Sequence, residues 1–130
     1  MKTKSEQEHK YTSTGIKFWR HPGAMGCYKY GFPDTIISTH ISPEGACNLK
    51  CSYCSVKRRK REFRIEIEVI KDYIEKAIQR GLKAVILTGG GEPTLYPQIN
   101  ELLSYLKYEK GLRVALITNG TQANRITDWS

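Results

Sequence analysis

From Thr35 onward, the apolar positions of this chain fall into short blocks that alternate between extended and helical periods. Thr35-Ile36-Ile37-Ser38-Thr39-His40-Ile41-Ser42 is a β-branched run that stops at Pro43 and predicts a first strand. Ile67, Ile70, Tyr73, Ile74, Ala77 and Ile78 then recur at helical spacing, with Glu68, Lys71, Asp72, Glu75, Lys76 and Gln79 opposite them and Gly81 as the stop. Ala84-Val85-Ile86-Leu87-Thr88 is an unbroken apolar run, the pattern of a strand buried on both faces. A second helix is predicted from about Pro97, burying Ile99, Leu102, Leu103 and Leu106 and ending at Gly111. Arg113-Val114-Ala115-Leu116-Ile117-Thr118 forms the third strand.

The segment Gly81–Gly90 is echoed thirty positions later by Gly111–Gly120, the offset of one helix plus one strand. The order strand–helix–strand–helix–strand predicts an α/β fold with parallel strands and right-handed crossovers. The loops that follow the strands then share one face, where α/β proteins build their sites. Residues 1–34 are polar and then rich in Gly, Pro and aromatics, and read as a tail followed by an irregular segment. In that segment Trp19, Tyr28, Tyr30 and Phe32 are expected to cover one end of the sheet.

Composition narrows the class. The 130 residues carry 21 Lys and Arg against 13 Asp and Glu, a formal charge of +8, which permits an acidic partner without dictating chemistry. No apolar run approaches the roughly 18 residues of a membrane span, and the first residues lack the apolar core of a secretory signal. A cytoplasmic, reducing location is the expectation, so the four cysteines read as ligands or spectators rather than a disulfide framework.

Candidate chemistry sits in the three loops. The first holds Cys47-Asn48-Leu49-Lys50-Cys51-Ser52-Tyr53-Cys54. Three thiols within eight residues can wrap one soft metal centre, either an iron–sulfur cluster with one iron left open or a zinc site completed by Cys27 or His40. The second is Thr88-Gly89-Gly90-Gly91-Glu92-Pro93, where glycines admit a close ligand, Glu92 offers a carboxylate to an ammonium group and Pro93 stiffens the exit. Alone, this loop reads first as a glycine-rich turn with a solvated Glu. The third, Thr118-Asn119-Gly120, is a turn signal. The basic run Lys57-Arg58-Arg59-Lys60-Arg61 reads as a solvated loop, with a clamp for acidic substrate, nucleic acid or an acidic electron donor as the competing role. His40 is expected to pack within its strand, and Cys27 to be a spectator.

In this order, Cys47, Cys51 and Cys54, then Gly90-Gly91-Glu92-Pro93, then Thr118-Asn119-Gly120, the chain resembles the radical S-adenosylmethionine (radical SAM) superfamily over about residues 35–120. The resemblance implies a [4Fe–4S] cluster on Cys47, Cys51 and Cys54. Its open iron would be chelated by S-adenosylmethionine (SAM), with Gly90, Gly91, Glu92, Pro93 and Asn119 around the cofactor and Tyr53 near the adenine. It also implies reductive cleavage of SAM to a 5′-deoxyadenosyl radical that abstracts hydrogen from a substrate the sequence does not identify. The implied partner is a reductase or a flavodoxin- or ferredoxin-type electron donor. A zinc or iron–sulfur module without catalysis, binding nucleic acid through the basic run, is the competing class.

The fold implied is a partial TIM-like (β/α) barrel, truncated, with residues 35–130 as its N-terminal part. Residues 121–130 read as the start of a further helix. A three-strand sheet with both edges open is expected to self-associate or stay loosely packed.

Overall fold

A computed structural model describes residues 21–25, 35–58 and 62–129. Three parallel strands form one sheet in the order β1-β2-β3: β1 is Ser38–Ile41, β2 is Ala84–Leu87 and β3 is Arg113–Leu116. Thr39 pairs with Val85 and Val85 with Val114, so the three strands end at one level and their following loops emerge together. The first and third strands are shorter than the apolar runs that predict them.

Helix α1, Ile67–Gln79, crosses between β1 and β2. Ile67, Ile70, Ile74 and Ala77 are buried along it as the periodicity predicts. Tyr73 departs from that face. It is 41% exposed, and its hydroxyl shares a 2.8 Å hydrogen bond with Thr39 Oγ1 on β1. The helix closes with Gly81 at φ 94°, a conformation that favours glycine.

Helix α2, Ile99–Ser104, starts two residues after Pro97 and runs on as a π-turn through Tyr105–Glu109. Ile99, Leu102 and Leu106 are buried as expected, whereas Leu103 is only partly so. Tyr105, absent from the predicted face, is 5% exposed. Its hydroxyl donates to Glu75 Oε1 at 2.9 Å, and the ammonium groups of Lys71 and Lys110 lie over its ring. Burial, reinforced by the Glu75 carboxylate, pushes the Tyr105 phenol far above its ordinary range. The polar tip thus lets a tyrosine occupy a core position.

One apolar core joins both helices to one face of the sheet. Val85 and Leu87 are fully buried at its centre, and Ile41, Leu112 and Ile126 complete it. The opposite sheet face is much less covered among the described residues: His40, Arg113, Ala115 and Ile117 are exposed there. Burial on both faces therefore holds for β2 but not for its neighbours. His40 is likewise exposed rather than packed. Residues 121–129 do not begin a helix. They form a short 3-10 turn at Ala123–Arg125, after which Ile126 inserts into the core. No helix among the described residues is long and apolar enough to cross a membrane.

Candidate functional site

The three loops after the strands are built into one another. The cysteine loop leaves β1 through Pro43-Glu44-Gly45-Ala46 and returns through Phe63-Arg64-Ile65, and the two sides pair antiparallel at Glu44 and Arg64. Gly45 N–H donates to Phe63 O at 2.8 Å, and Ile65 N–H to Pro43 O at 3.0 Å. Glu44 is buried at this neck. Its Oε2 accepts from Arg64 Nε at 2.8 Å and its Oε1 from Ala46 N–H at 3.0 Å. Tyr96, fully buried, donates its hydroxyl to Ile65 O at 2.8 Å and fixes the returning side from below.

The Gly-Gly-Glu-Pro turn is pressed against that neck. A Cβ on Gly91 would overlap Ala46 O and lie 2.6 Å from Gly45 O, so only glycine lets the two backbones meet. Glu92 N–H then donates to Ala46 O at 2.8 Å. A Cβ on Gly90 would lie 2.8 Å from the Phe63 ring, which also covers Gly45. The close approach anticipated for a ligand is thus used, in large part, by the protein itself.

Glu92 is 2% exposed and is not a solvated turn residue. Its Oε1 accepts from Thr94 N–H at 3.0 Å, Thr94 Oγ1 at 2.7 Å and Thr118 Oγ1 at 2.6 Å, and its Oε2 from Asn119 N–H at 2.8 Å. Burial by itself would push the carboxyl up; the donors from Asn119, Thr118 and Thr94 outweigh it and hold Glu92 below its ordinary range. Pro93, fully buried, opens the 3-10 turn that Glu92 caps. The carboxylate therefore ties the second loop to the third.

The third loop reaches the first in turn. Asn119 Nδ2 donates to Asn48 Oδ1 at 3.0 Å, and Asn48 Nδ2 donates to Thr121 Oγ1 at 2.7 Å. Asn119 Oδ1 accepts from both the backbone and the hydroxyl of Thr121, at 3.0 and 2.7 Å. Asn48, lying between Cys47 and Cys51, had no signal that marked it as a cross-loop contact.

Cys47, Cys51 and Cys54 share this first loop as free, half-buried thiols. Turns are closed by Cys54 N–H on Cys51 O at 3.3 Å and Lys57 N–H on Cys54 O at 3.1 Å. Among the described residues, no group of three or more His, Cys, Asp or Glu side chains is drawn together in a metal-holding arrangement. The donor set nevertheless fits an iron–sulfur cluster in kind: three free thiols on one loop, with Cys47 Sγ accepting from Leu49 N–H at 3.5 Å and no competing carboxylate in residues 45–58. Tyr53, in the turn between Cys51 and Cys54, is 89% exposed, and Lys57 and Arg58 farther along the chain are also exposed. Cys27, the aromatics Trp19, Tyr28, Tyr30 and Phe32, and Arg59, Lys60 and Arg61 lie outside the described residues.

A parallel α/β sheet carrying a three-cysteine loop, a buried Gly-Gly-Glu-Pro turn and an Asn-Gly turn at one end defines a class. The sequence profile of the radical SAM superfamily matches residues 41–128, and the chain belongs to that superfamily. Enzymes of the superfamily use a [4Fe–4S] cluster and SAM. Among the similar proteins is the Fe-coproporphyrin III synthase of Methanosarcina barkeri, 41% identical over 61% of this chain and 20% of its own length. The 7-carboxy-7-deazaguanine synthase of Clostridium acetobutylicum is 38% identical over 58% of this chain and 34% of its own. The GTP 3′,8-cyclase of Stenotrophomonas maltophilia is 30% identical over 76% of this chain and 32% of its own. The chain thus spans a fifth to about a third of these relatives, and their names point to different substrates.

Proposed function

We propose that this chain carries the cofactor-binding part of a radical SAM enzyme, with Cys47, Cys51 and Cys54 holding the [4Fe–4S] cluster and the loop at Gly90–Pro93 lying against the methionine part of SAM. The observation that carries this reading is the Glu92 carboxylate, which joins the second and third loops while its own N–H grips the residue before Cys47. Cys47, Cys51 and Cys54 would hold the cluster, which would supply the electron for reductive cleavage of SAM and hydrogen-atom abstraction from a substrate.

The protein's own task is orientation. Glu92 acts first as the strut of the pocket, because Oε1 already accepts three hydrogen bonds. Oε2 accepts one and retains a lone pair for an ammonium donor. Asn119 contributes in the same way, its side chain being committed to Asn48 and Thr121. Tyr53 offers its backbone, in the turn between Cys51 and Cys54, to the adenine.

Residues 35–130 are read as the first part of a (β/α) barrel preceded by a separate segment at 1–34. Support comes from the coverage of the relatives and from the exposed second face of the sheet. The electron is expected from a small reductase or a flavodoxin- or ferredoxin-type donor, and the cationic loop around Lys50, Lys57 and Arg58 suits an acidic one.

Anaerobic reconstitution of the chain and of each Cys→Ala variant tests the reading. Iron and sulfide should be lost with Cys47, Cys51 or Cys54 and kept with Cys27. Retention in Cys54→Ala with loss in Cys27→Ala, or a colourless zinc protein, would overturn it.

A further inference from the structure

The geometry points to Glu44 as a positioning residue that sets Cys47 through the peptide of Ala46, with Arg64 closing the neck of the cysteine loop around it. This inference rests on the proposed role of Cys47 as a cluster ligand, and concerns a buried carboxylate that no part of that chemistry employs.

Ala46 directly precedes Cys47, and its peptide groups are held from both sides. Its N–H donates to Glu44 Oε1 at 3.0 Å, and its C=O accepts from Glu92 N–H at 2.8 Å. Glu44 thus pairs with Glu92 across one residue: one fixes the entry of the cysteine loop to its own neck, the other to the Gly-Gly-Glu-Pro turn. Glu44 is itself immobilised. It is 2% exposed, packed at the Pro43–Gly45 and Phe63–Ile65 pairing, and its second oxygen accepts from Arg64 Nε at 2.8 Å.

A buried carboxylate is costly to desolvate, and a neutral side chain could close a simple hairpin neck. What the carboxylate adds is a strong, directed acceptor for one backbone N–H at the point where the loop departs. Beyond it, within the described residues 47–58, Asn48 ties the loop sideways to Asn119 and Thr121, Leu49 N–H donates to Cys47 Sγ at 3.5 Å, and turns close at Cys51 and Cys54. Those ties act after Cys47 in the chain; the peptide that leads into the first thiol is fixed at this neck.

The test uses the full chain, first without cluster. Alkylation of Cys47 under native reducing conditions, followed by peptide mass spectrometry, should be about tenfold faster in Glu44→Ala, the loss expected for one charge-assisted hydrogen bond. Glu44→Gln keeps an oxygen acceptor for Ala46 N–H but loses the charge and the second acceptor for Arg64, so its rate should fall between wild type and Glu44→Ala. Leu102→Ala, which hollows the core away from the loop, should lower the melting temperature without singling out Cys47. Should Glu44→Ala fail to fold, hydrogen exchange of the wild type decides the matter: the Ala46 amide must be protected at least about tenfold over its unstructured rate. In reconstituted protein the visible circular dichroism of the cluster should change in Glu44→Ala, and by less in Glu44→Gln. A wild-type Cys47 alkylation rate in Glu44→Ala, an unprotected Ala46 amide, or an unaltered cluster spectrum in Glu44→Ala would each overturn the inference. The alkylation and exchange readings need no cluster, so failure of reconstitution alone would count against the proposed function and not against the neck.

Discussion

Replacing Glu92 should damage the fold before it touches any cofactor, and the size of the damage follows from its four hydrogen bonds. Glu92→Ala leaves the N–H groups of Thr94 and Asn119 and the hydroxyls of Thr94 and Thr118 without their acceptor. The hydroxyls can turn elsewhere; the two backbone donors cannot. A buried donor left unsatisfied costs about 1–3 kcal/mol; Thr94 N–H is buried and Asn119 N–H only partly so, and a loss of about 2–4 kcal/mol is expected, a large share of a small domain's stability. Glu92→Gln retains one oxygen but sets an NH2 group against at least one donor, and should lose about 1–3 kcal/mol.

The pH dependence has a definite sign. The Glu92 carboxyl sits below its ordinary value near 4.5 in the folded chain, so the unfolded state binds the proton more readily. Its stabilisation is complete above that ordinary value and is lost as the pH falls through the lower folded value. The gap between wild type and Glu92→Gln, measured by urea unfolding across this range, should be constant near neutrality and shrink in acid. A Glu92→Ala loss below about 1 kcal/mol, or a gap that widens on acidification, would refute the strut.

Gly91→Ala drives a methyl group into the backbone of Gly45 and Ala46, where nothing flexible can yield; a destabilisation of about 3 kcal/mol or more is expected in chemical unfolding, with the cysteine loop loosened. Tyr96→Phe removes the hydroxyl that reaches Ile65 O and should cost about 1 kcal/mol by the same measurement. Leu102→Ala, at a fully buried position, should cost about 2–5 kcal/mol. Tyr53→Ala should leave stability within about 0.5 kcal/mol, because the ring is 89% exposed.

The sequence alone determined the three strands, the two helices between them and the order of the loops, though not the turn at Ala123–Arg125. Helical spacing placed Ile67, Ile70, Ile74 and Ala77 inward because a helix is stabilised by burying one stripe, and the stripe is local information. The apolar run at β2 and the cysteine spacing are local for the same reason. Contacts between distant segments were not legible. Tyr105 and Tyr73 exchange expected environments because each hydroxyl finds its partner on another element: Glu75 on α1 for Tyr105, Thr39 on β1 for Tyr73. Phe63, Glu44 and Asn48 carried no spacing signal, yet they cover two glycines, hold the peptide before Cys47 and join the first loop to the third. Glu92 was visible as a carboxylate in a glycine-rich turn, but its meaning changed with its surroundings. Tertiary structure decides that, because a carboxylate in water and one buried among four donors differ in charge state, mobility and energetic weight.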